Sequence, residues 1–409
     1  MTHTPGTKSA NHLPNEGCIA DSAGTEVAYS YDEAPRISMA HRSRVLLLIP
    51  HLGGGGAERV VSLLANGLSP ERYEVHLGLV TQADSADRRL PEWVTVHSLG
   101  ARRVRSGTFR LLRLVRRLKP DVILSGMAHL NFLVLLLRPL FPAHTRILVR
   151  QNGTVSTALA FGGLPAYTRL AFRQLYRRAD RVICQTEAMA EDLARETGTP
   201  KTRLAVLPNP VDLEGMRAAV RGNPKAWRGP GPHLLAVGRL ARVKGFDLLL
   251  QALARVRGHV PDTDLLIAGA GPEGAALKAL CLKLGLQNAV RFVGYVDRPA
   301  EYFAGATVFV LSSRHEGLPN ALIEAAAAGL PVVALPASQG LVNLIQGQPG
   351  IWLAPEVTAV ALTDSLLSAL HALRPGERFT HPFVEQFRID SAIHAYEQLI
   401  DAVAGESAP

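Results

Sequence analysis

Two carboxylates, Glu316 and Glu324, stand in the most informative stretch of the sequence. It runs Ser312-Ser313-Arg314-His315-Glu316-Gly317-Leu318-Pro319-Asn320-Ala321-Leu322-Ile323-Glu324-Ala325. Glu316 follows a strand pattern and lies in a loop, whereas Glu324 falls about one and a half turns into a helix that begins near Pro319. A glycosidase dyad holds its carboxylates about 5 Å apart when retaining and under about 10 Å apart when inverting. Five to eight residues at about 1.5 Å rise place these two roughly 8–12 Å apart. That separation suits two contacts on one long ligand better than a single bond flanked on both sides. Free N–H groups at the intervening helix N-terminus suit a diphosphate. A buried, paired, structural carboxylate is the plainer alternative for Glu324.

Cations and glycines occupy matching positions elsewhere. Arg239 follows the strand ending Val237-Gly238, and Lys244-Gly245 precedes the next helix. A guanidinium grips phosphate oxygens with two donors and an ammonium adds a mobile point charge; Arg242, between them, reads as a bystander. His51-Leu52-Gly53-Gly54-Gly55-Gly56-Ala57-Glu58-Arg59 joins the first strand to the first helix. Without Cβ atoms, Gly54, Gly55 and Gly56 let backbone approach a phosphate or sugar closely. Gly269-Ala270-Gly271-Pro272-Glu273-Gly274 spells G-x-G-x-x-G. The dinucleotide fingerprint also needs an acidic residue ending the following strand, and Arg291–Tyr295 supplies none, so NAD binding is disfavoured.

These residues need strand ends to hold them. From Arg44, short β-rich apolar runs alternate with helical stretches up to Leu204–Leu207, and the alternation restarts at Leu234 after a Pro/Gly-rich joint. Near-continuous apolar strands predict parallel sheets covered on both faces. The expectation is an α/β chain of two doubly wound, Rossmann-like domains hinged near residues 214–232, with ligand at the carboxyl ends of the strands. Residues 1–40 read as a disordered extension, 41–213 as the first Rossmann-like domain, 214–384 as the second, and 385–409 as a helix returning to the first domain.

At 409 residues with 47% hydrophobic and 19% charged residues, the chain has material for two cores and is not predominantly disordered. Cys18, Cys184 and Cys281 are odd in number and widely spaced. They frame neither a disulfide scaffold nor a zinc site and fit a reducing, cytoplasmic setting. No run reaches the roughly 18 apolar residues of a membrane span. The net charge of +9 is uneven: 27 basic against 19 acidic residues through residue 214, and 17 against 16 beyond it. Eight basic residues and no acidic one fall within 101–119 (Arg102 to Lys119), interleaved with leucines as an amphipathic helix. A solvated basic face is one reading. Docking on anionic lipid headgroups, at about 1 kcal/mol per cation, is the other. The absence of interleaved aromatics disfavours nucleic acid.

The Gly-Gly-Ala-Glu-Arg loop, Asn209-Pro210-Val211-Asp212, Val237-Gly238-Arg239 with Lys244-Gly245, and the Glu316 to Glu324 segment, in this order, resemble the retaining family-4 glycosyltransferases of the GT-B fold. The resemblance covers about residues 44–400. It implies that Arg239 and Lys244 bind a nucleotide diphosphate, that Glu324 holds the ribose hydroxyls, and that Glu316 with the backbone of Gly317 and Leu318 contacts the donor sugar. Gly54 to Gly56 would close over the phosphates, and Gly269, Gly271 and Leu322 would complete the donor site. Relatives commonly turn a first-domain histidine toward the donor sugar, for which His129 is the best match and His51 a weaker one. Two departures from the family pattern, His315 and Gln185, remove no charge. The resemblance implies no metal and no cofactor beyond a nucleotide-sugar donor, UDP-linked or GDP-linked. Its acceptor would be a lipid-linked or polysaccharide glycan at the inner membrane face. A nucleotide-sugar epimerase of the same fold, or an NAD-dependent dehydrogenase using Gly269–Gly274, is the alternative function.

Overall fold

A computed structural model describes residues 42–53, 55–81, 90–101, 103–161, 167–220, 227, 229–296 and 298–406. The extension expected over residues 1–40, together with Gly54 and Arg102, lies outside the described residues. All thirteen strands among them are paired in parallel.

The first sheet contains β1 (Ser43–Ile49), β2 (Tyr73–Leu79), β3 (Thr95–Ser98), β4 (Val122–Ser125), β5 (Arg146–Arg150), β6 (Arg181–Cys184) and β7 (Leu204–Val206), in the order β3-β2-β1-β4-β5-β6-β7. The second contains β8 (His233–Val237), β9 (Asp264–Ala268), β10 (Val290–Gly294), β11 (Val308–Leu311), β12 (Val332–Ala334) and β13 (Ile351–Leu353), in the order β10-β9-β8-β11-β12-β13. Both orders reverse direction next to the first strand of the sheet, which opens a crevice at the carboxyl ends.

Strand alternation divides each sheet between two cores. Val45, Leu47 and Ile49 face one side of β1, while Leu46 and Leu48 face the other. Helices α1 (Gly56–Gly67), α2 (Thr108–Leu118), α3 (Ala128–Leu137), α4 (Val155–Phe161), α5 (Tyr167–Tyr176) and α6 (Glu187–Thr197) connect the first sheet. Around the second run α7 (Leu213–Ala219), α8 (Phe246–Val256), α9 (Gly274–Lys283), α10 (Asn320–Ala327), α11 (Gln339–Ile345) and α12 (Ala359–Ala372), before the last helix, α13 (Ile389–Gly405). Helix α2 buries Leu111, Leu114 and Val115 and leaves its arginines in water. It ends at Lys119, which caps it in the left-handed region at φ 48° with its N–H donating to Val115 O, and Pro120 follows.

The chain crosses between lobes at two adjacent places. Val211 N–H donates to Phe387 O at 2.8 Å, and Val211 pairs with Arg388 in a parallel bridge. Leu213 and Met216 of α7 already belong to the second lobe's core, so the crossing comes before the hinge expected near 214–232. Helix α13 then packs Ile393, Tyr396, Ile400 and Val403 against the α1 side of the first sheet. Tyr73 of β2 donates from its hydroxyl to Asp401 at 2.7 Å, anchoring that helix further.

Sequence patterning misses β13, which is three residues long, and reads 300–305 as a helix where the structure has a 3-10 turn, Pro299–Tyr302. Ile400 is 1% exposed in the core that α13 shares with α1 and the first sheet. Ile400→Ala is therefore expected to lower stability by about 2–5 kcal/mol through lost burial and a residual cavity, read as a shift in the denaturant midpoint.

Candidate active site

The first lobe offers a bare helix end. Gly55, extended at φ −150°, caps α1 without a side chain. A Cβ on Gly56 would meet the Asn320 amide nitrogen at 2.9 Å. Glycine here lets the N-terminus of α10 approach from the second lobe, and Asn320 Nδ2 donates to Gly56 O at 3.4 Å.

The cations come from the loop after β8. Arg239 projects into the cleft between the lobes, exposed and without an ion pair among the described residues. Lys244 ends a 3-10 turn, Arg242–Lys244, and donates from Nζ to Glu316 Oε1 at 2.6 Å. Ser313 donates its hydroxyl to the same oxygen at 2.5 Å. Gly245, at φ 63°, fixes this turn: a Cβ there would overlap the Ser312 carbonyl oxygen. One of the three ammonium protons of Lys244 is thus committed to Glu316, leaving two for ligand oxygens.

Glu324 lies on α10, buried, and its carboxylate pairs with Arg59 of α1 at 3.1 Å. Burial raises its pKa above the usual carboxylate range, and the Arg59 charge opposes that rise. Both the ligand-contact and the buried-and-paired readings of this residue are compatible with its position, because the side chain lines the cleft and is also ion-paired.

These groups line one cleft of about 390 Å³, within the range that takes a small ligand. Gly55, Gly56, Arg239, Lys244, Gly269, Glu316, Leu318 and Glu324, all expected from the sequence, meet there. Others do not. Leu322 is 0% exposed in the second lobe's core, because helical periodicity turns it away from the face bearing Glu324. Gly317 abuts Gly153 and Met189 of the first lobe. Gly271 lies against the backbone of Leu240, and a Cβ on Gly269 would overlap Gly238 O. The G-x-G-x-x-G glycines therefore serve the packing of one loop on another, a reason for glycine that requires no dinucleotide. His129 is exposed at the start of α3, outside the cleft lining, near His51 and Glu58; partial shielding of its ring, with His51 adding, lowers its pKa.

Sequence reasoning missed the residues that join the lobes. Arg150, at the end of β5, is 1% exposed yet borders the cleft. It donates from Nε to the Tyr396 hydroxyl at 3.2 Å and from its terminal nitrogens to Asn152 and Asn209, with no carboxylate partner among the described residues. Asn209 in turn donates to Asn320 Oδ1 at 2.6 Å. A charged residue ending an apolar strand was the available signal. For Arg59, the signal was its place one turn from the glycine loop.

One Asp-x-Asp run occurs, Asp262-Thr263-Asp264, a spacing that would suit a metal. It lies at the amino end of β9, away from the cleft, with Asp264 taken by His233 at 2.5 Å. Among the described residues no cluster has the composition of a metal site.

Because burial disfavours charged Glu324, its contribution to stability is fully present below its unfolded pKa and is lost as pH rises through its raised folded pKa. Glu324→Gln removes that loss. The melting temperature of the variant relative to wild type is expected to increase from pH 5 to pH 8; a difference that falls with pH would contradict the raised pKa.

Residues 54–214 match glycosyltransferase family 4 and residues 231–372 match glycosyl transferases group 1. The chain is 28% identical to the lipopolysaccharide core biosynthesis glycosyltransferase LpsE of Rhizobium meliloti, over 86% of this chain and 97% of that one. It is 29% identical to an N-acetylgalactosamine-N,N'-diacetylbacillosaminyl-diphospho-undecaprenol 4-alpha-N-acetylgalactosaminyltransferase of Campylobacter jejuni, over 70% and 79%. With an uncharacterized glycosyltransferase of Methanocaldococcus jannaschii included, it covers between 60% and 97% of the length of these relatives. Its fold matches that of the Anabaena protein HepE, solved in complex with UDP and glucose, with a TM-score of 0.70 at 17% identity, covering 89% of this chain and all of the other. Two facing parallel sheets, the residues that meet between them and these matches together place the chain in the family-4 glycosyltransferases, with the GT-B fold.

Proposed function

We propose that the protein moves a hexose or N-acetylhexosamine from a nucleotide-diphosphate sugar to a lipid-linked or polysaccharide acceptor in cell-envelope or exopolysaccharide synthesis, with retention and without a metal. A UDP-sugar is the favoured donor. The observation that carries this is the placement of Arg239 and Lys244 beside Glu316 in one cleft, with Glu324 and a bare helix N-terminus facing them. The names of the relatives support the acceptor class, and UDP with glucose in the HepE structure supports the donor class.

Breaking the bond between the anomeric carbon and the diphosphate oxygen leaves positive charge on carbon and sends the electron pair to the leaving group. Arg239, the two free ammonium protons of Lys244 and the N-terminus of α1 stabilise that growing negative charge. The acceptor hydroxyl forms the new bond from the same face, and its proton passes to the departing diphosphate. Glu316 anchors Lys244 and contacts the sugar, while Glu324 accepts from the ribose hydroxyls as Arg59 gives way. Closure of the lobes excludes water and suppresses hydrolysis.

Docking of the cationic face of α2 on anionic lipid would hold the enzyme at the surface that carries a lipid-linked acceptor. No helix among the described residues is long and apolar enough to cross a membrane.

Thermal-shift screening with nucleotide diphosphates, then turnover of the matching sugars with anomer-resolved product analysis, tests the proposal. Arg239→Ala and Lys244→Ala are each expected to lower kcat about 10²–10³-fold, the effect of losing one charge-stabilising donor. Intact turnover in Lys244→Ala or Glu316→Ala overturns the assignment of the site.

A further inference from the structure

The opposite end of the first sheet, at the amino ends of its strands, holds a second cavity of about 750 Å³. Six arginines line it (Arg138, Arg146, Arg177, Arg178, Arg181 and Arg203) against two carboxylates, Asp180 and Glu406. Asp180 is occupied by Arg138 at 2.8 and 2.9 Å and by Arg146 at 3.6 Å. Glu406 accepts from Arg181 through its carboxylate and from Arg146 through its backbone carbonyl. A segment of the chain itself thus brings oxygen acceptors to one wall. Arg177 and Arg178 are exposed, and among the described residues no carboxylate pairs with either.

A concave site with four cations in excess differs from a solvated basic face, because convergent guanidinium groups match the oxygens of a phosphate in two-pronged contacts. Its surroundings indicate where that phosphate comes from. Arg116 of α2 donates to Leu140 O at 3.1 Å, so the cationic stripe of α2 runs up to the rim. Leu136 and Leu140 stand beside it, 58% and 47% exposed. Cations interleaved with exposed leucines suit a lipid surface, where the charges meet headgroups and the leucines meet acyl chains.

We propose that this basin binds the phosphate group of an anionic phospholipid headgroup, with Arg177 and Arg178 as its open contacts. The proposal extends, and rests on, the reading of α2 as a docking helix. At fixed ionic strength, flotation is measured with vesicles of phosphatidylcholine alone or with added phosphatidylglycerol or phosphatidic acid. Wild type is compared with Arg177→Gln/Arg178→Gln and with Arg113→Gln/Arg117→Gln on α2. Wild type should show a rise in melting temperature with glycerol phosphate; losing two basin cations should abolish it, reduce binding to anionic vesicles roughly tenfold or more, and leave donor turnover unchanged. Wild-type flotation by the basin variant, with flotation lost in the α2 variant, overturns the basin and leaves the α2 reading intact. A melting-temperature rise with glycerol phosphate but no flotation of any form overturns the lipid source and identifies a soluble phosphate ester as the ligand.

Discussion

Arg150 heads the described side chains fully withdrawn from water, and it is a cation. A buried guanidinium without a carboxylate carries a large desolvation cost, so its donors must be satisfied by neutral oxygens in good geometry. Those oxygens come from three separate places: Tyr396 on the last helix, Asn152 after β5, and Asn209 at the crossing between lobes. Through Asn209 the chain of hydrogen bonds continues to Asn320 at the start of α10, and from there to Gly56 at the start of α1. The relative position of the two helix N-termini that face the cleft therefore depends on how one arginine is held.

Charge is divided across the cleft with the same economy. The second lobe supplies Arg239 and Lys244, and Glu316 positions the latter. The first lobe contributes Arg59, which pairs with Glu324 across the cleft. Among the described residues, the cleft thus holds one ion pair across the lobes, one within the second lobe, and the unpaired Arg239. A larger residue at 56 would meet Asn320 across the lobes, and one at 245 would meet the Ser312 carbonyl within the second lobe, so neither site takes a side chain.

Much of this was legible in sequence, for physical reasons. Buried parallel strands are apolar on both faces, so twelve of the thirteen strands announced themselves, and only short β13 escaped. Cations in the loop after β8, Arg239 and Lys244, were legible because nothing in the adjacent sequence pairs with them. Leu322 was misplaced because a motif read as a string ignores the 100° turn between neighbours on a helix. Arg59, Arg150 and Asn320 were assigned no role for a different reason. Their partners lie far along the chain, and pairing across a cleft leaves no local pattern. The Gly269–Gly274 run shows the converse: its pattern is local and strong, yet the backbone crowding it relieves is equally local.

The packing of α13 on the first lobe has a consequence for how the protein is made. The face of the first sheet that carries α1 is completed by Ile393, Tyr396, Ile400 and Val403. At about 5–20 residues per second, the stretch from the end of β7 to α13 takes roughly 10–40 s to synthesise. During that interval the first lobe presents an unfinished apolar face to solvent, the second lobe can complete its own core first, and the domain begun earliest on the ribosome is the last to close.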